Sequence, residues 1–276
     1  MASPTPDYLN HPLHSRALAD QVGELVRSAS QLSLRWFRQT MSVENKVEQA
    51  SGAGFDPVTA ADRAVEDALR AGLSELFPDD AILGEERGES GDGPYRWVID
   101  PIDGTRAFIT GQPTWGTLVG LEYNEQPIAG WMYQPSIDEL YFAAGSGAYF
   151  QAREGSRQRL RTRTTTSLAD AMLYSTHPSM FTPGSEADRF AQLEAATKMA
   201  RYGGDCFNYG ALAAGWIDLV VENQLQRYDI SPLIPVLEQA GAVVSDLAGK
   251  SAAAGGYVVA AATPELHEAV LVVLNG

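Results

Sequence analysis

Apolar positions fall into two rhythms along the chain. Between residues 13 and 37, Leu18, Val22, Leu25, Ala29, Leu32 and Trp36 recur at intervals of three and four, the period of one buried helix face, and predict a first long helix. Ser51-Gly52-Ala53-Gly54 interrupts the pattern. A second stripe of Ala61, Val65, Leu69, Leu73 and Leu76 follows, with Thr59 and Asp62 spaced as a capping box at its start. Short β-type runs then crowd together over 81–83, 97–99, 117–121, 128–133, 139–142 and 147–150. Such close succession implies an antiparallel meander, so the first half reads as α+β.

The second half alternates. Strands are expected over 172–175, 217–222, 242–246 and 257–261, and helices over 186–199, 207–214, 231–240 and 264–274, an order that indicates an α/β layer. The joint falls near residues 151–166, where Arg153, Arg157, Arg159, Arg161 and Arg163 interleave with polar residues; a solvated hairpin or crossover accounts for them. The expected organisation is a loosely packed stretch over 1–12, an α+β lobe over 13–150 and an α/β lobe over 151–276.

Composition narrows the function. A chain of 276 residues, 45% hydrophobic, can bury a sizeable core. Its net charge of -15 leaves no electrostatic footprint for nucleic acid or anionic lipid, so a small molecule is the expected partner. Residues 1–14 are polar and carry Pro4, Pro6 and Pro12, unlike a secretory signal, and no apolar run is long enough to span a bilayer. A cytoplasmic location is expected. The single cysteine, Cys206, excludes a disulfide within the chain and a cysteine-based zinc site. A metal would therefore sit on oxygen.

The run Trp97-Val98-Ile99 leads into Asp100-Pro101-Ile102-Asp103-Gly104-Thr105. Pro101 fixes φ and Gly104 permits a tight turn, so the two carboxylates can converge. With the Ile102 carbonyl they offer magnesium the hard oxygens it prefers. The Gly104 and Thr105 amides would open a helical turn suited to a phosphate oxygen. An ordinary Pro-Asp-Gly turn is the competing account. Glu85 and Glu86 after a different strand, and Asp229 at a later helix, offer further carboxylates for a multi-metal site, against surface charge and an N-cap as their plain explanations.

Asp56-Pro57-Val58-Thr59-Ala60-Ala61-Asp62, Gly84-Glu85-Glu86, Trp97 through Thr105 and Tyr228-Asp229 resemble, in order, the signatures of the inositol monophosphatase family over about residues 20–262. The resemblance implies a layered α/β/α/β/α sandwich, an activity on small phosphorylated metabolites, two or three magnesium ions and a homodimer. By resemblance, Glu85, Asp100 and the Ile102 carbonyl hold the first ion, Asp100, Asp103 and Asp229 the second, and Glu85 also touches a third. Thr105 would hydrogen-bond the attacking water, with Asp62 behind it. The spacing is D-x-x-D, not the D-x-D of haloacid-dehalogenase nucleophiles; Leu212 stands where a C-x5-R loop needs arginine, and no G-x-S-x-G elbow accompanies the histidines.

Within the family, Tyr202-Gly203-Gly204-Asp205-Cys206-Phe207-Asn208-Tyr209, Asp218 through Glu222 and Tyr228-Asp229 look like the histidinol-phosphate phosphatase branch. Thr176-His177-Pro178-Ser179-Met180-Phe181 does too. Asp205 with Glu222, Asp103 and Asp229 would make the leaving-group pocket acidic, matching the ammonium and imidazole of histidinol phosphate. Capping of the helix near Cys206 is the alternative use of Asp205. The pattern departs from the branch at Arg227, where proline is usual, and at Phe207, where a tyrosine resembling a pocket wall is usual. An inositol or sugar monophosphatase, or an inactive binding protein on the same fold, are the competing functions. Lys46 and the stretch 43–55 resemble a segment near the family's site.

Overall fold

The computed structural model describes residues 11–39, 44–45, 57–58, 60–145, 147–152 and 155–276. The first apolar stripe folds as α1 (Arg16–Ser30) and then tightens into a 3-10 turn over Gln31–Arg35. Here the expected long helix stops early. The hydroxyls of Ser30 and Ser33 bond back to the carbonyls of Val26 and Ser30, a competition that weakens the helical ladder. The buried face of α1 is Ala19, Val22, Val26 and Ala29; Leu18, Leu25 and Leu32 lie half-buried beside it. Two-residue strands β1 (Glu44–Asn45) and β2 (Pro57–Val58) pair before α2 (Ala60–Leu76). Thr59 and Lys46 lie outside the described residues.

Eight strands form the first sheet: β3 (Ala81–Gly84), β4 (Gly88–Ser90), β5 (Tyr95–Asp103), β6 (Gly116–Tyr123), β7 (Gln126–Gln134), β8 (Glu139–Ala144), β9 (Ala148–Ala152) and β10 (Gln158–Arg159). Their order is β10-β9-β8-β7-β6-β5-β3-β4. All neighbours run antiparallel except β3 and β5, which are parallel, a departure from the expected pure meander. The helix α3 (Thr105–Ile109) follows β5.

The second sheet has the order β12-β11-β13-β15-β14, with β11 (Met172–Ser175), β12 (Met199–Tyr202), β13 (Leu219–Leu225), β14 (Val243–Ser245) and β15 (Gly256–Ala261). Its helices are α4 (Ser185–Ala196), α5 (Cys206–Ala213), α6 (Arg227–Ile230), α7 (Ile234–Ala240) and α8 (Pro264–Asn275). Two expectations are corrected. The helix expected to reach Met199 ends at Ala196, and Met199 opens an edge strand. The helix expected over 231–240 begins only at Ile234, after Pro232, which has no N–H for a helical ladder, and a separate short helix, Arg227–Ile230, precedes it.

Strand parity builds the layers. On β6, Val119 and Leu121 pack with Val22, Val26, Leu69, Leu73, Trp97 and Trp131 under α1 and α2. Leu118 points the other way, joining Met132, Tyr141, Leu212, Leu237, Val220 and Val258 between the two sheets. Beyond the second sheet, Leu219, Val221 and Val259 meet Phe190 and Leu193 of α4 and Leu266 and Val270 of α8. The result is the α/β/α/β/α sandwich. In its middle layer, the segment after α6 lies directly on the first sheet. A Cβ on Gly120 would come within 2.8 Å of Pro232 Cα, and one on Gly130 would overlap the Pro232 carbonyl oxygen. Outside these layers, Arg157 pairs with Asp20 at 2.8 Å and Arg163 with Asp218 at 2.7 Å, so two of the joint arginines anchor the crossover.

Candidate active site

Parallel pairing of β3 and β5 brings two strand ends side by side. Gly84 is in register with Ile99, so Glu85, just past the end of β3, lies beside Asp100 of β5, and the Glu85 amide donates to the Ile99 carbonyl at 3.2 Å. Between Asp100 and Asp103 the ladder with β6 slips by one residue, a bulge that re-aims side chains. Thr117 Oγ1 holds it by donating to the Pro101 carbonyl at 2.8 Å. Gly104 then turns with φ +80°, and a Cβ there would sit 2.8 Å from Asp205 Cγ, so glycine alone fits. Thr105 begins α3, its hydroxyl donating to the Ile102 carbonyl at 3.2 Å.

From the second half, α6 delivers Asp229. It is not the N-cap that sequence allows; it lies three residues after Gln226, whose amide donates to Asp229 Oδ2 at 2.6 Å in a reciprocal capping box. Carboxylate oxygens of Asp100, Asp103 and Asp229 lie within 4.8 Å of one another. Burial pushes the Asp100 carboxyl well above the usual range, aided by the charges of Glu85, Asp103, Asp229 and Asp62. Asp103 is raised by burial and by Asp205 and Asp229. Asp229 is raised to about 7, chiefly by burial. Asp62 is buried on α2. Asp100 Oδ1 is buried with no hydrogen-bond partner among the described residues. Hard oxygen donors, mutual repulsion and an orphaned carboxylate oxygen fit a divalent cation such as magnesium.

Two more carboxylates, Glu222 and Asp205, line the same cavity. Glu222 is buried, accepting from the Thr176 amide at 2.8 Å and the Tyr209 hydroxyl at 2.9 Å; burial raises its carboxyl to about 7 against the pull of both bonds. Asp205 occupies the N-cap position of α5 at φ +46° but makes no side-chain cap bond. The carboxylate of Asp103 caps α5 instead, accepting from the Cys206 amide at 2.7 Å. That removes capping as the use of the Asp205 carboxylate, which accepts from Thr114 Oγ1 at 3.3 Å and faces the cavity. Positive φ at a non-glycine residue stores roughly 1–3 kcal/mol of strain, held here between Gly204 and α5.

The cavity, about 420 Å³, is lined by Glu85, Asp100, Asp103, Asp205, Glu222 and Asp229, with Gly104, Thr105, Tyr209 and Thr176 among the remainder. Phe207, expected beside this pocket, instead faces Trp216 at 6.3 Å between ring centroids. Sequence reasoning missed Glu66, fully buried on α2. It accepts from the Glu86 amide at 2.7 Å and the Arg87 amide at 3.1 Å, and pairs with Arg70 at 2.7 Å, so it holds the turn that carries Glu85. Its signal was present: Glu66 is four residues after Asp62, on the same helix face. Tyr209 and Thr176 fall in segments that resemble the branch pattern, but their bonds to Glu222, 13 and 46 residues away, are not legible from spacing.

A sequence model of the inositol monophosphatase family matches residues 13–275. The chloroplastic bifunctional phosphatase IMPL2 of Arabidopsis thaliana is 36% identical over 269 residues, 92% of this chain and 72% of its own length. A histidinol-phosphatase of Streptomyces coelicolor is 32% identical over 275 residues, 98% of each chain. Among solved structures, an inositol monophosphatase from Zymomonas mobilis matches with a TM-score of 0.81 at 33% identity, covering 94% of this chain and 99% of that one.

Proposed function

Since the chain belongs to the inositol monophosphatase family, and is thereby a phosphatase of small phosphorylated substrates, we propose that its substrate is L-histidinol phosphate. The observation that carries this reading is that Asp205 and Glu222 line the same cavity as the Asp100, Asp103 and Asp229 cluster. An amino-alcohol substrate with an ammonium and an imidazole brings positive charge to these carboxylates; a neutral polyol can donate hydroxyls to them but compensates none of their charge. The Streptomyces coelicolor relative carries the matching name.

In this reading Glu85, Asp100 and the Ile102 carbonyl hold one magnesium, Asp100, Asp103 and Asp229 a second, and Glu85 contacts a third. When bound, magnesium supplies positive charge to the phosphate oxygens and lowers the pKa of a water. Thr105 orients that water: with its own proton given to the Ile102 carbonyl, its hydroxyl oxygen is left as an acceptor. Asp62, buried on α2, backs this group. The Gly104 and Thr105 amides offer donors to phosphate. Asp103, Asp205, Glu222 and Asp229 bind the leaving group.

Phosphate release with magnesium, from L-histidinol phosphate and from inositol 1-phosphate, tests the proposal. One charge-assisted bond contributes about 1.5–3 kcal/mol, so kcat/KM is expected to favour histidinol phosphate by about ten- to a hundredfold. Asp205→Asn should erase most of that preference while sparing inositol phosphate. Equal or better turnover of inositol phosphate would replace this substrate with a broader one, in line with the Zymomonas mobilis match. Absence of magnesium-dependent release from these two and from a panel of sugar and other metabolite phosphates would leave an inactive binding protein.

A further inference from the structure

The helix that delivers Asp229 has four residues, Arg227–Ile230, far too few to stabilise itself through its own ladder. A carboxylate on the first sheet holds it. Glu122 is fully buried on β6, on the inward parity of Leu118 and Gly120. It accepts from Arg227 Nη1 at 2.9 and 3.1 Å, and from Ser231 Oγ at 2.6 Å. Arg227 is the first residue of α6 and Ser231 its C-cap, so one carboxylate ties both ends. Arg96 on β5 completes the shell, with Nη2 at 2.6 Å and Nε at 3.2 Å. Two guanidiniums and a hydroxyl satisfy a charge that would be costly alone at this depth. Pro232, seated against Gly120 and Gly130, limits sliding along the sheet. Arg227 is not among the residues lining the cavity, so whatever it does there passes through α6.

We propose that the Glu122–Arg227 pair is a positioning device for the metal centre, with Arg227 setting the placement of Asp229 and hence the affinity for a divalent cation. The proposal rests on the reading of Asp229 as a metal ligand. Its logic is that of groups behind a ligand: they hold the donor atom where the ion needs it, and their loss weakens binding without touching the ion.

Calorimetric titration of magnesium into the full chain tests this. Arg227→Met keeps the apolar stem and deletes the hydrogen bonds, while Glu122 retains Arg96 and Ser231 so that the fold survives. The magnesium Kd is expected to rise about tenfold. Arg227→Lys, which keeps the charge, should fall between the two. Turnover at saturating magnesium should stay within about twofold of wild type. Arg163→Met is the control: it breaks another pair to a buried carboxylate, Asp218, at 2.7 Å, and should lower Tm with Kd unchanged. Native magnesium affinity in Arg227→Met, or an equal loss in Arg163→Met, would overturn the proposal. Calorimetry needs no turnover. A chain that binds magnesium yet releases phosphate from no substrate overturns the substrate reading alone, and a wild type that binds no magnesium overturns the ligand assignment beneath both.

Discussion

Glu222 illustrates what depth does to one carboxylate. Its carboxyl rises from 4.5 to about 7, so the folded chain keeps a proton that the unfolded chain releases. The stabilisation from that proton is complete below about pH 4.5 and is lost as pH climbs to about 7. At about 1.4 kcal/mol per unit, the loss is on the order of 3 kcal/mol. Glu222→Gln cannot titrate, so in urea denaturation of the metal-free protein its stability relative to wild type should increase between pH 5 and 8; parallel curves would refute this. Asp100 and Asp103 were legible in sequence because a D-x-x-D spacing around Pro101 and before Gly104 gathers them at the end of β5. The environment of Asp205 was not, since the cap of α5 comes from Asp103, 103 residues before Cys206. Glu122 was equally invisible: its partners Arg96, Arg227 and Ser231 converge only once two strands and a helix are in place.

Elements came through where apolar periodicity was continuous, as in α2, β6 and β7, and blurred where local chemistry interrupts it. Back-bonding serines end α1, and Pro232 delays the start of the helix expected from 231 to Ile234. The edge strand β12 leaves Met199 and Tyr202 substantially exposed, so it lacks the alternation that marks a half-buried strand. The seat of Pro232 on β6 and β7 offers a test at this scale. Gly130→Ala places a methyl group into the Pro232 carbonyl oxygen, a backbone atom that cannot rotate aside. Such overpacking costs about 1–3 kcal/mol, or a fall in Tm of roughly 2–4 °C per kcal/mol for a chain of this size. An unchanged Tm in a thermal melt would mean that the segment after α6 yields freely.

Across the whole molecule, net charge of -15 and a crowd of raised carboxylates act against the metal-free fold. Magnesium at about a hundred times its Kd should add about 2.7 kcal/mol, a rise in Tm of about 5–10 °C that a chelator reverses. Asp229→Asn should do two opposite things: raise the metal-free Tm by relieving repulsion, and abolish most of the magnesium response. A magnesium response unaltered by Asp229→Asn would remove that residue from the ligand set. No helix among the described residues is long and apolar enough to cross a membrane. The layer order followed from family resemblance and not from periodicity, because β6, β7 and β13 are apolar on both faces and do not declare which side meets which partner.

The hydrogen bond from the Cys206 amide to Asp103 has a genetic consequence. Under the proposed roles, Asp103 holds a cation with one part of its carboxylate and the first turn of the substrate-facing helix with another. Alleles at Asp100 can damage cation binding and leave the leaving-group contacts of Asp205 and Glu222 as they were. Alleles at Asp103 are pleiotropic: any replacement alters cation affinity and substrate preference together. A lineage drifting toward a new substrate is therefore free to vary Asp205 and Glu222, while Asp103 stays locked by its double duty.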